Sequence, residues 1–440
     1  MHRFHDQSTA GKLSRRNLFR LGAGGALAAS VSACASPDRG PAVPLGRTKE
    51  ASVLGLPNER FFPATGAGPL EQEFNQAVMR LTARRGLNSP LDLPQLQLLA
   101  ISGGGENGAF GAGLLCGWTE QGTRPEFELV TGISTGALTA PFAYLGPAYD
   151  AQLRSVYTEL EPKQVLISRF VTAAVWDDAM ADNSPLFHTI SRYLDDRMLA
   201  DIAKAYDSGR LLLIASTDLD AQQPVIWNIG AIAKSGHPKA ANTIRRVLLA
   251  SAAIPGAFPP TMFEVTLDGK AYQEMHVDGG AFAQTFLYPP SLTASRRKRM
   301  QAKLPVLKLD AFIIRNGRLD AEWATVERRT LGIASRAIST MITSAGYNDV
   351  VKIYYATLSK LQRTRLSSKG TPPAVRVLRS REWLHVWFCE AEKPRKLTGM
   401  LRVELALDAM RHGQDLVADL VDRSLKEAER RSTDTPAAHI

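Results

Sequence analysis

A serine between two glycines is the first candidate for chemistry. The pentapeptide from Gly132 to Gly136 has the G-x-S-x-G form, and it lies between a strand predicted over Phe127–Thr131 and an alanine-rich predicted helix. A serine on a sharp strand-to-helix turn exposes its hydroxyl as a nucleophile, and the helix N-terminus favours developing negative charge. Both glycines let neighbouring backbone approach closely. The pattern therefore predicts Ser134 as the nucleophile of a covalent reaction.

A run of three glycines is the second candidate. Gly103, Gly104 and Gly105 follow a buried strand predicted over Gln97–Ser102 and precede a predicted helix over 106–121. Backbone N–H groups in such a loop bind an oxyanion or a phosphate. A nucleotide loop is the alternative, but the spacing lacks the P-loop lysine, and no acidic residue ends the second strand as a dinucleotide site requires. The loop therefore favours an oxyanion hole over nucleotide binding.

An acidic residue before two glycines is the third candidate. Asp278, Gly279 and Gly280 follow a strand predicted over Tyr272–Val277. Such a tripeptide is often only a turn, but a partly desolvated Asp278 has a raised pKa and can act as a general base for a serine. A Ser-His-Asp triad remains the competing arrangement, because His276 lies on the same face of the strand as Asp278. For His276 itself we favour a structural role.

The surrounding pattern alternates short apolar strands with helices, which predicts an α/β fold with helices on both faces of a sheet. The βαβ unit around the glycine run implies parallel strands. Residues 149–205 are more helical and are predicted to form a cap over the site. Amphipathic helices are expected over 320–365 and 399–430. Further strands are predicted at Arg210–Ser216, Pro224–Ile229 and Pro305–Ile314. One further helix is predicted at Thr243–Ala253.

Together the three motifs resemble, in their order, those of the patatin-like phospholipase family, and the resemblance spans about residues 97–315. It implies a three-layer α/β/α fold with a mainly parallel central sheet, with extra C-terminal helices here. It also implies Ser134 as nucleophile and Asp278 as its base in a dyad, an oxyanion hole at Gly103–Gly105, acyl esters of glycerolipids as substrates and no cofactor. One position departs from the family: Asn107 stands where its glycine loop usually has Arg or Lys.

The N-terminal segment is typical of an export signal. Arginines precede a short Gly/Ala-rich apolar stretch, Ser14–Phe19 resembles a twin-arginine motif, and Val31–Cys34 resembles a bacterial lipoprotein cleavage box. We expect lipidation at Cys34 and location at a cell envelope membrane facing the periplasm, with the outer membrane favoured. The alternative is a disordered basic N-terminus with an incidental cysteine.

The predicted organisation has four parts. They are a signal peptide over 1–33, a Pro/Gly-rich tether over 34–69, a catalytic domain over 70–320 and a helical extension over 321–440 that packs on the domain.

Composition bounds the remaining possibilities. In the 440-residue chain, a hydrophobic fraction of 45% excludes a disordered protein, and three cysteines exclude a disulfide scaffold. The net charge is +10, and the charge of about +6 that remains without residues 1–33 suits an anionic lipid surface, whereas no nucleic-acid motif accompanies it. No His/Cys/Asp group has the spacing of metal ligands, so no metal is expected. A general esterase for small soluble esters and a non-catalytic lipid-binding lipoprotein remain as alternatives.

Overall fold

The computed structural model describes residues 39–160, 162–165, 167–168, 179, 181–287, 294, 296, 298–299, 301–317, 323–357 and 384–390. The helices are α1 (Gly68–Arg84), α2 (Gly108–Glu120), α3 (Thr135–Leu145), α4 (Asp150–Thr158), α5 (Ser184–Tyr193), α6 (Asp196–Asp207), α7 (Ile229–Lys234), α8 (Ala240–Ser251) and α9 (Thr330–Thr357). The strands are β1 (Arg60–Phe61), β2 (Leu96–Ile101), β3 (Leu129–Ile133), β4 (Ile167–Ser168), β5 (Ala181–Asp182), β6 (Leu211–Asp218), β7 (Gln223–Asn228), β8 (Thr261–Leu267), β9 (Lys270–Asp278), β10 (Leu309–Arg315) and β11 (Leu384–Glu390). The predicted signal peptide and Cys34 lie outside the described residues.

A nine-stranded sheet organises the domain, with the order β1-β7-β6-β3-β2-β10-β11 and with β9 pairing both β6 and β8. Five neighbouring strands of the sheet run parallel to one another, namely β6, β3, β2, β10 and β11. Their parallel order confirms the α/β prediction. Strands β7 and β9 pair antiparallel with β6, so one side of the sheet is antiparallel. The carboxyl ends of the parallel strands meet at one edge, where ligands bind in such sheets.

Both faces of the sheet are covered by apolar side chains. On β2, Leu99 and Ile101 join the larger core cluster, whereas Leu98 and Ala100 join the cluster on the opposite face. This alternation is the period of two that a strand imposes. Helices α2, α3 and α8 contribute to the larger cluster, and α1 contributes to the other. Burial on both faces explains why the parallel strands are almost continuously hydrophobic.

The predicted tether is wrong for the residues from 39 onward, which pack on the domain. Arg39 forms an ion pair with Asp220, and the Gly40 N–H donates to the side chain of Gln273 at 2.6 Å. Strand β1 extends the sheet by pairing with β7. Proline and glycine content suggested a flexible spacer, but these contacts are made with distant parts of the chain and leave no local pattern in the sequence.

The predicted cap over 149–205 also differs from the structure. Helices α4, α5 and α6 place Leu153, Ile190 and Ile202 in the main core, and none of their residues lines the cavity described below. The apolar residues that suggested a cap, Phe170–Trp176, lie outside the described residues.

The C-terminal extension is partly corrected as well. Helix α9 agrees with the helix predicted over 320–365, but β11 adds a parallel strand to β10 where only helices were expected. The helix predicted over 399–430 lies outside the described residues. Within the described part of the chain, no helix combines the length and apolar character that crossing a bilayer requires.

Candidate active site

Ser134 lies on a strained turn between β3 and α3. Its backbone has φ 56° and ψ −128°, and it is buried, whereas the other described non-glycine residues with positive φ lie in exposed turns. A side chain in this region costs about 1–3 kcal/mol and persists only where surrounding contacts enforce it. The Ser134 N–H donates to Ser251 Oγ at 3.0 Å, and Ser251 Oγ donates to the Ala215 carbonyl at 2.6 Å. Helix α8 and strand β6 thereby hold the turn.

The two glycines of the pentapeptide are required by close packing. A Cβ on Gly136 would lie 2.3 Å from the Ile101 carbonyl oxygen, and a Cβ on Gly132 would lie 2.5 Å from the Gly136 carbonyl oxygen. Real Cβ atoms do not approach backbone this closely. The first turn of α3 therefore packs directly on the end of β2, which brings Ser134 next to the glycine run.

Asp278 reaches Ser134 through the antiparallel pairing of β9 with β6, in which Asp278 lies opposite Ser216. Its carboxylate accepts a hydrogen bond from the Gly280 N–H at 2.6 Å and lines the same cavity as Ser134. Burial raises the pKa of Asp278 to about 7, against the smaller lowering effects of the Ser134 and Gly280 hydrogen bonds. A carboxyl group with this pKa can exchange a proton with a serine hydroxyl near neutral pH. Gly279 packs against β6, where a Cβ would lie 2.5 Å from the Ala215 carbonyl oxygen.

The glycine run lines the same cavity, but its three members differ. The Gly103 N–H donates to the Gln284 carbonyl at 3.4 Å, so this amide already has an acceptor. A Cβ on Gly104 would lie 1.6 Å from the Asn316 carbonyl oxygen, which excludes any side chain there. Gly105 has φ 56° and open space on the side where a Cβ would stand. Gly104 and Gly105 line the same cavity as Ser134.

A cavity of about 540 Å³ joins these elements. One wall is polar and is formed by the glycine run, the Ser134–Asp278 pair and the end of β10. Helix α9 contributes a mostly apolar wall, in which Ser339 and Thr343 accompany four apolar residues. The lining residues include Asn107, Ile254, Pro255, Ala281, Gln284, Arg315, Asn316, Ile338, Met341, Ile342 and Ala345. The cavity thus places a hydroxyl, a carboxyl group and exposed backbone amides beside an apolar surface.

His276 does not face Ser134. Its Nδ1 lies 2.9 Å from Ser216 Oγ, and its Nε2 lies 3.2 Å from Glu274 Oε2. The Trp227 indole N–H donates to Ser216 Oγ at 2.8 Å, so the Ser216 proton can go to Nδ1 and the ring proton on Nε2 then faces Glu274. Both ring nitrogens are engaged with these partners, and His276 is absent from the lining of the cavity. The structure therefore agrees with a structural role and does not supply a triad histidine.

The same region contains the one group among the described residues whose donors could approach a metal ion. Ligand atoms of Asp218, Glu274 and His276 lie within 4.8 Å of one another, and all three residues are buried. However, Glu274 already accepts two hydrogen bonds from Arg60, including one at 3.2 Å to Oε1. A guanidinium in contact with the carboxylate supplies the positive charge that a cation would bring, so the cluster is explained as a buried ionic network.

Several residues at the site were not predicted from the sequence. Ser251 supports the serine turn, and Gln284 joins the loop after Asp278 to the glycine run. Asn316 bonds Ser102 and the Gly111 N–H and so fixes the glycine loop on the end of β10. Arg315 and Asn316 directly follow a predicted strand, and polar residues at the end of a parallel strand are a signal that could have identified them.

These features define an α/β domain with a serine and an aspartate paired at the carboxyl edge of the sheet. A family model for patatin-like phospholipases matches residues 99–289, and this part of the chain is similar to a patatin-like phospholipase domain. The match supports lipid acyl hydrolysis in general as the activity. Among solved structures, VipD from Legionella pneumophila is similar, with 12% identity and a TM-score of 0.33, covering 75% of this chain and 67% of that chain. No curated protein sequence matches.

Proposed function

We propose that this protein hydrolyses carboxylic ester bonds of membrane glycerolipids, phospholipids in particular, through a dyad of Ser134 and Asp278. The observation that carries this proposal is that Ser134 and Asp278 line one cavity and that Asp278 is buried, which raises the pKa of its carboxyl group to about 7. At neutral pH a large fraction of that group is ionised and can accept the serine proton. Assignment to the patatin-like phospholipase family supports the lipid acyl substrate.

In the proposed first step, Ser134 Oγ attacks the ester carbonyl carbon while its proton moves to Asp278. The resulting oxyanion is stabilised by the backbone amides at Gly104 and Gly105, with the N-terminus of α3 adding a favourable dipole. The intermediate then collapses, the C–O bond of the leaving alcohol breaks, and Asp278 returns the proton to that oxygen. Water hydrolyses the acyl-enzyme by the same steps, with Asp278 as the base that activates it.

The apolar wall of the cavity supports a lipid substrate presented at a surface. Ile338 and Met341 on α9 both line the cavity and are solvent-exposed, by 41% and 68%. Phe282, just beyond the Asp278 loop, is 55% exposed. Exposed apolar groups beside a site are typical of surfaces that contact lipid or other apolar partners. An acyl chain leaving a bilayer would therefore meet apolar side chains on its way to Ser134.

The same proposal includes the location of the protein. Lipidation at Cys34 would anchor the chain to a bacterial cell envelope membrane on the periplasmic side, the outer membrane being favoured. The described chain is already packed on the domain from Arg39 onward, so a lipid at Cys34 would hold the domain close to the surface. Each buried CH₂ of the anchor would contribute about 0.8 kcal/mol.

The test is to offer mixed phospholipid vesicles to the full-length protein in detergent and to measure free fatty acid. Wild type should release fatty acid, and Ser134→Ala and Asp278→Asn should not. Release that survives Asp278→Asn would contradict the dyad. A wild-type protein that hydrolyses p-nitrophenyl butyrate but no vesicle lipid would instead indicate an esterase for soluble substrates. Failure to react with a fluorophosphonate probe would indicate a non-catalytic lipid-binding protein.

A further inference from the structure

Arg315 occupies a position in the sheet where ligands bind. It ends β10, which runs parallel to β2 with Ile314 opposite Ile101, so Arg315 lies beside the start of the glycine run. Ligands of parallel α/β sheets bind beyond the carboxyl ends of the strands. Arg315 lines the cavity of Ser134, and among the described lining residues it is the one cation.

The guanidinium is held in place by its surroundings rather than exposed to solvent. Arg315 is only 4% exposed, and its Nη1 donates to Gln284 Oε1 at 3.4 Å. Helix α9 passes over it at Gly346, where a Cβ would lie 2.4 Å from Nη2. A side chain at position 346 would therefore displace the guanidinium. The glycine allows helix α9 to pack directly on the Arg315 side chain.

Short distances connect this charge to the proposed nucleophile. A Cβ built on Gly103 would lie 3.1 Å from Ser134 Cβ and 3.1 Å from Gln284 Oε1. Gln284 Oε1 in turn lies 3.4 Å from Arg315 Nη1. Taken end to end, these distances place the Arg315 guanidinium within about 10 Å of the Ser134 side chain. An ester at Ser134 and an anionic group a few bonds away on the same molecule fit this spacing.

The charge does not act on the proposed base. The pKa of Asp278 is set by burial and by hydrogen bonds to Ser134 and Gly280, with no contribution from a neighbouring cation. A guanidinium in contact with Asp278 would lower that pKa and weaken the base. Arg315 is therefore placed in the cavity wall without neutralising the carboxylate. Asn107, in the glycine loop of the same cavity, carries no charge, so an anionic substrate group would meet its positive partner at the end of β10.

We propose that Arg315 forms a subsite for the phosphodiester group of a glycerophospholipid whose ester lies at Ser134. The planar guanidinium carries a permanent charge and several N–H donors in a fixed geometry, which matches the oxygens of a phosphate. This inference rests on the proposed function. It assigns to Arg315 the recognition of the phosphate that distinguishes phospholipids from other glycerolipids.

The test compares two lipids with identical acyl chains, phosphatidylcholine and diacylglycerol, each presented in the same detergent micelles. Full-length wild type, Arg315→Met and Arg315→Lys are assayed for fatty acid release, and p-nitrophenyl butyrate hydrolysis is measured in parallel. Arg315→Met should lose about 10- to 100-fold in kcat/KM on phosphatidylcholine, the effect of losing a hydrogen bond to a charged group. Diacylglycerol and p-nitrophenyl butyrate should change less than about threefold. Arg315→Lys should fall between wild type and Arg315→Met on phosphatidylcholine, because it keeps a point charge but not the planar fork.

A matched control is Arg245→Met. The Arg245 guanidinium donates to the Leu194 carbonyl at 2.8 Å and 3.2 Å and does not line the cavity, so this variant should leave the ratio of the two lipid rates unchanged. An unchanged ratio in folded Arg315→Met would overturn the proposal. Equal loss on all three substrates would also overturn it, since the arginine would then position the catalytic groups.

Two further outcomes are separable. If Arg315→Met does not fold, the ratio measured for Arg315→Lys decides, because a merely structural charge would leave it at the wild-type value. If wild type shows no Ser134-dependent hydrolysis of any of the three substrates, the proposed function itself has failed, and the subsite for a phospholipid substrate fails with it.

Discussion

Strand β9 carries two buried carboxyl groups on one face, Glu274 and Asp278, and their environments differ in one respect. Glu274 is 1% exposed and Asp278 is 4% exposed. Burial alone would raise both pKa values, but hydrogen bonds from His276 and Arg60 and the charge of Arg60 outweigh burial at Glu274 and lower its pKa. Asp278 has only a hydroxyl and a backbone amide as partners, and its pKa is raised to about 7.

The comparison separates two uses of a buried acid in one strand. An acid with an adjacent cation stays ionised and joins distant parts of the chain, as Glu274 does with Arg60 on β1. A buried acid without an adjacent cation is destabilised in its ionised form, which raises its pKa. The raised pKa makes the carboxylate a competent base near neutral pH. Five predictions test this division, and we give them in order of decreasing expected effect.

The largest effect is expected on the rate. Asp278→Asn should reduce kcat by at least about 10³-fold because the serine loses its base, whereas Glu274→Gln should stay within about threefold of wild type. Both substitutions replace a buried acid on β9 by its amide, so they are matched. Fatty acid release at saturating lipid measures the effect. Equal rate losses in the two variants would remove the functional distinction between the two acids.

The second effect is on the pH profile. The ionised form of Asp278 is the active one, so kcat/KM should rise with pH through an apparent pKa of about 7. At two pH units below that value the rate should be about 100-fold below its plateau. A profile measured with p-nitrophenyl butyrate avoids changes in lipid charge. Activity that stays flat from pH 5 to pH 8 would contradict Asp278 as the base.

The third effect is on the pH dependence of stability, which follows from the raised pKa of Asp278. Because the folded state binds the Asp278 proton more tightly than the unfolded state, its contribution to stability is complete below about pH 4 and is lost as pH rises to about 7. The difference corresponds to about 4 kcal/mol at most. Asp278→Asn should remove it, so the variant should be more stable than wild type at pH 8 and similar at pH 4, as measured by urea unfolding.

The fourth effect is on stability at Glu274. Glu274→Gln should lower the free energy of unfolding by about 3 kcal/mol, because it leaves the Arg60 charge buried and weakly compensated. The double variant Arg60→Met/Glu274→Met removes both charges and should lose less than Glu274→Gln alone. Urea unfolding at pH 7 measures all three proteins. A double variant that loses more than the single one would show that the pair itself stabilises the fold.

The smallest effect is expected at two buried serines, Ser251 behind the Ser134 turn and Ser216 beside His276. Ser251→Ala removes the acceptor of the Ser134 N–H and should lower kcat about tenfold, with KM little changed. Ser216→Ala removes the partner of His276 and should lower stability by about 1–2 kcal/mol without changing kcat. Thermal unfolding and single-turnover acylation measure the two properties separately. A lower kcat in Ser216→Ala with an unchanged kcat in Ser251→Ala would contradict the roles assigned to the two serines.

Much of the fold followed from local pattern. The apolar runs of β2, β3 and β6 and the helices α2 and α3 were predicted close to their observed bounds, because buried parallel strands and glycine-rich turns leave strong local signals. Strand β8 and strand β11 were not predicted. Strand β11 gave no turn signal of its own, and its place beside β10 depends on pairing across a long stretch of chain.

The sequence by itself determined which residues could do chemistry. Ser134 sits between glycines after a strand, and Asp278 precedes two glycines at the end of another, and these patterns reflect steric requirements that act within a few residues. The tertiary structure alone decided that the two meet, through the pairing of β9 with β6. It also decided that Arg60 neutralises Glu274 and that Arg315 enters the cavity wall. These relations depend on strand order and on which charges are buried together, and both are set by contacts between residues far apart in the chain.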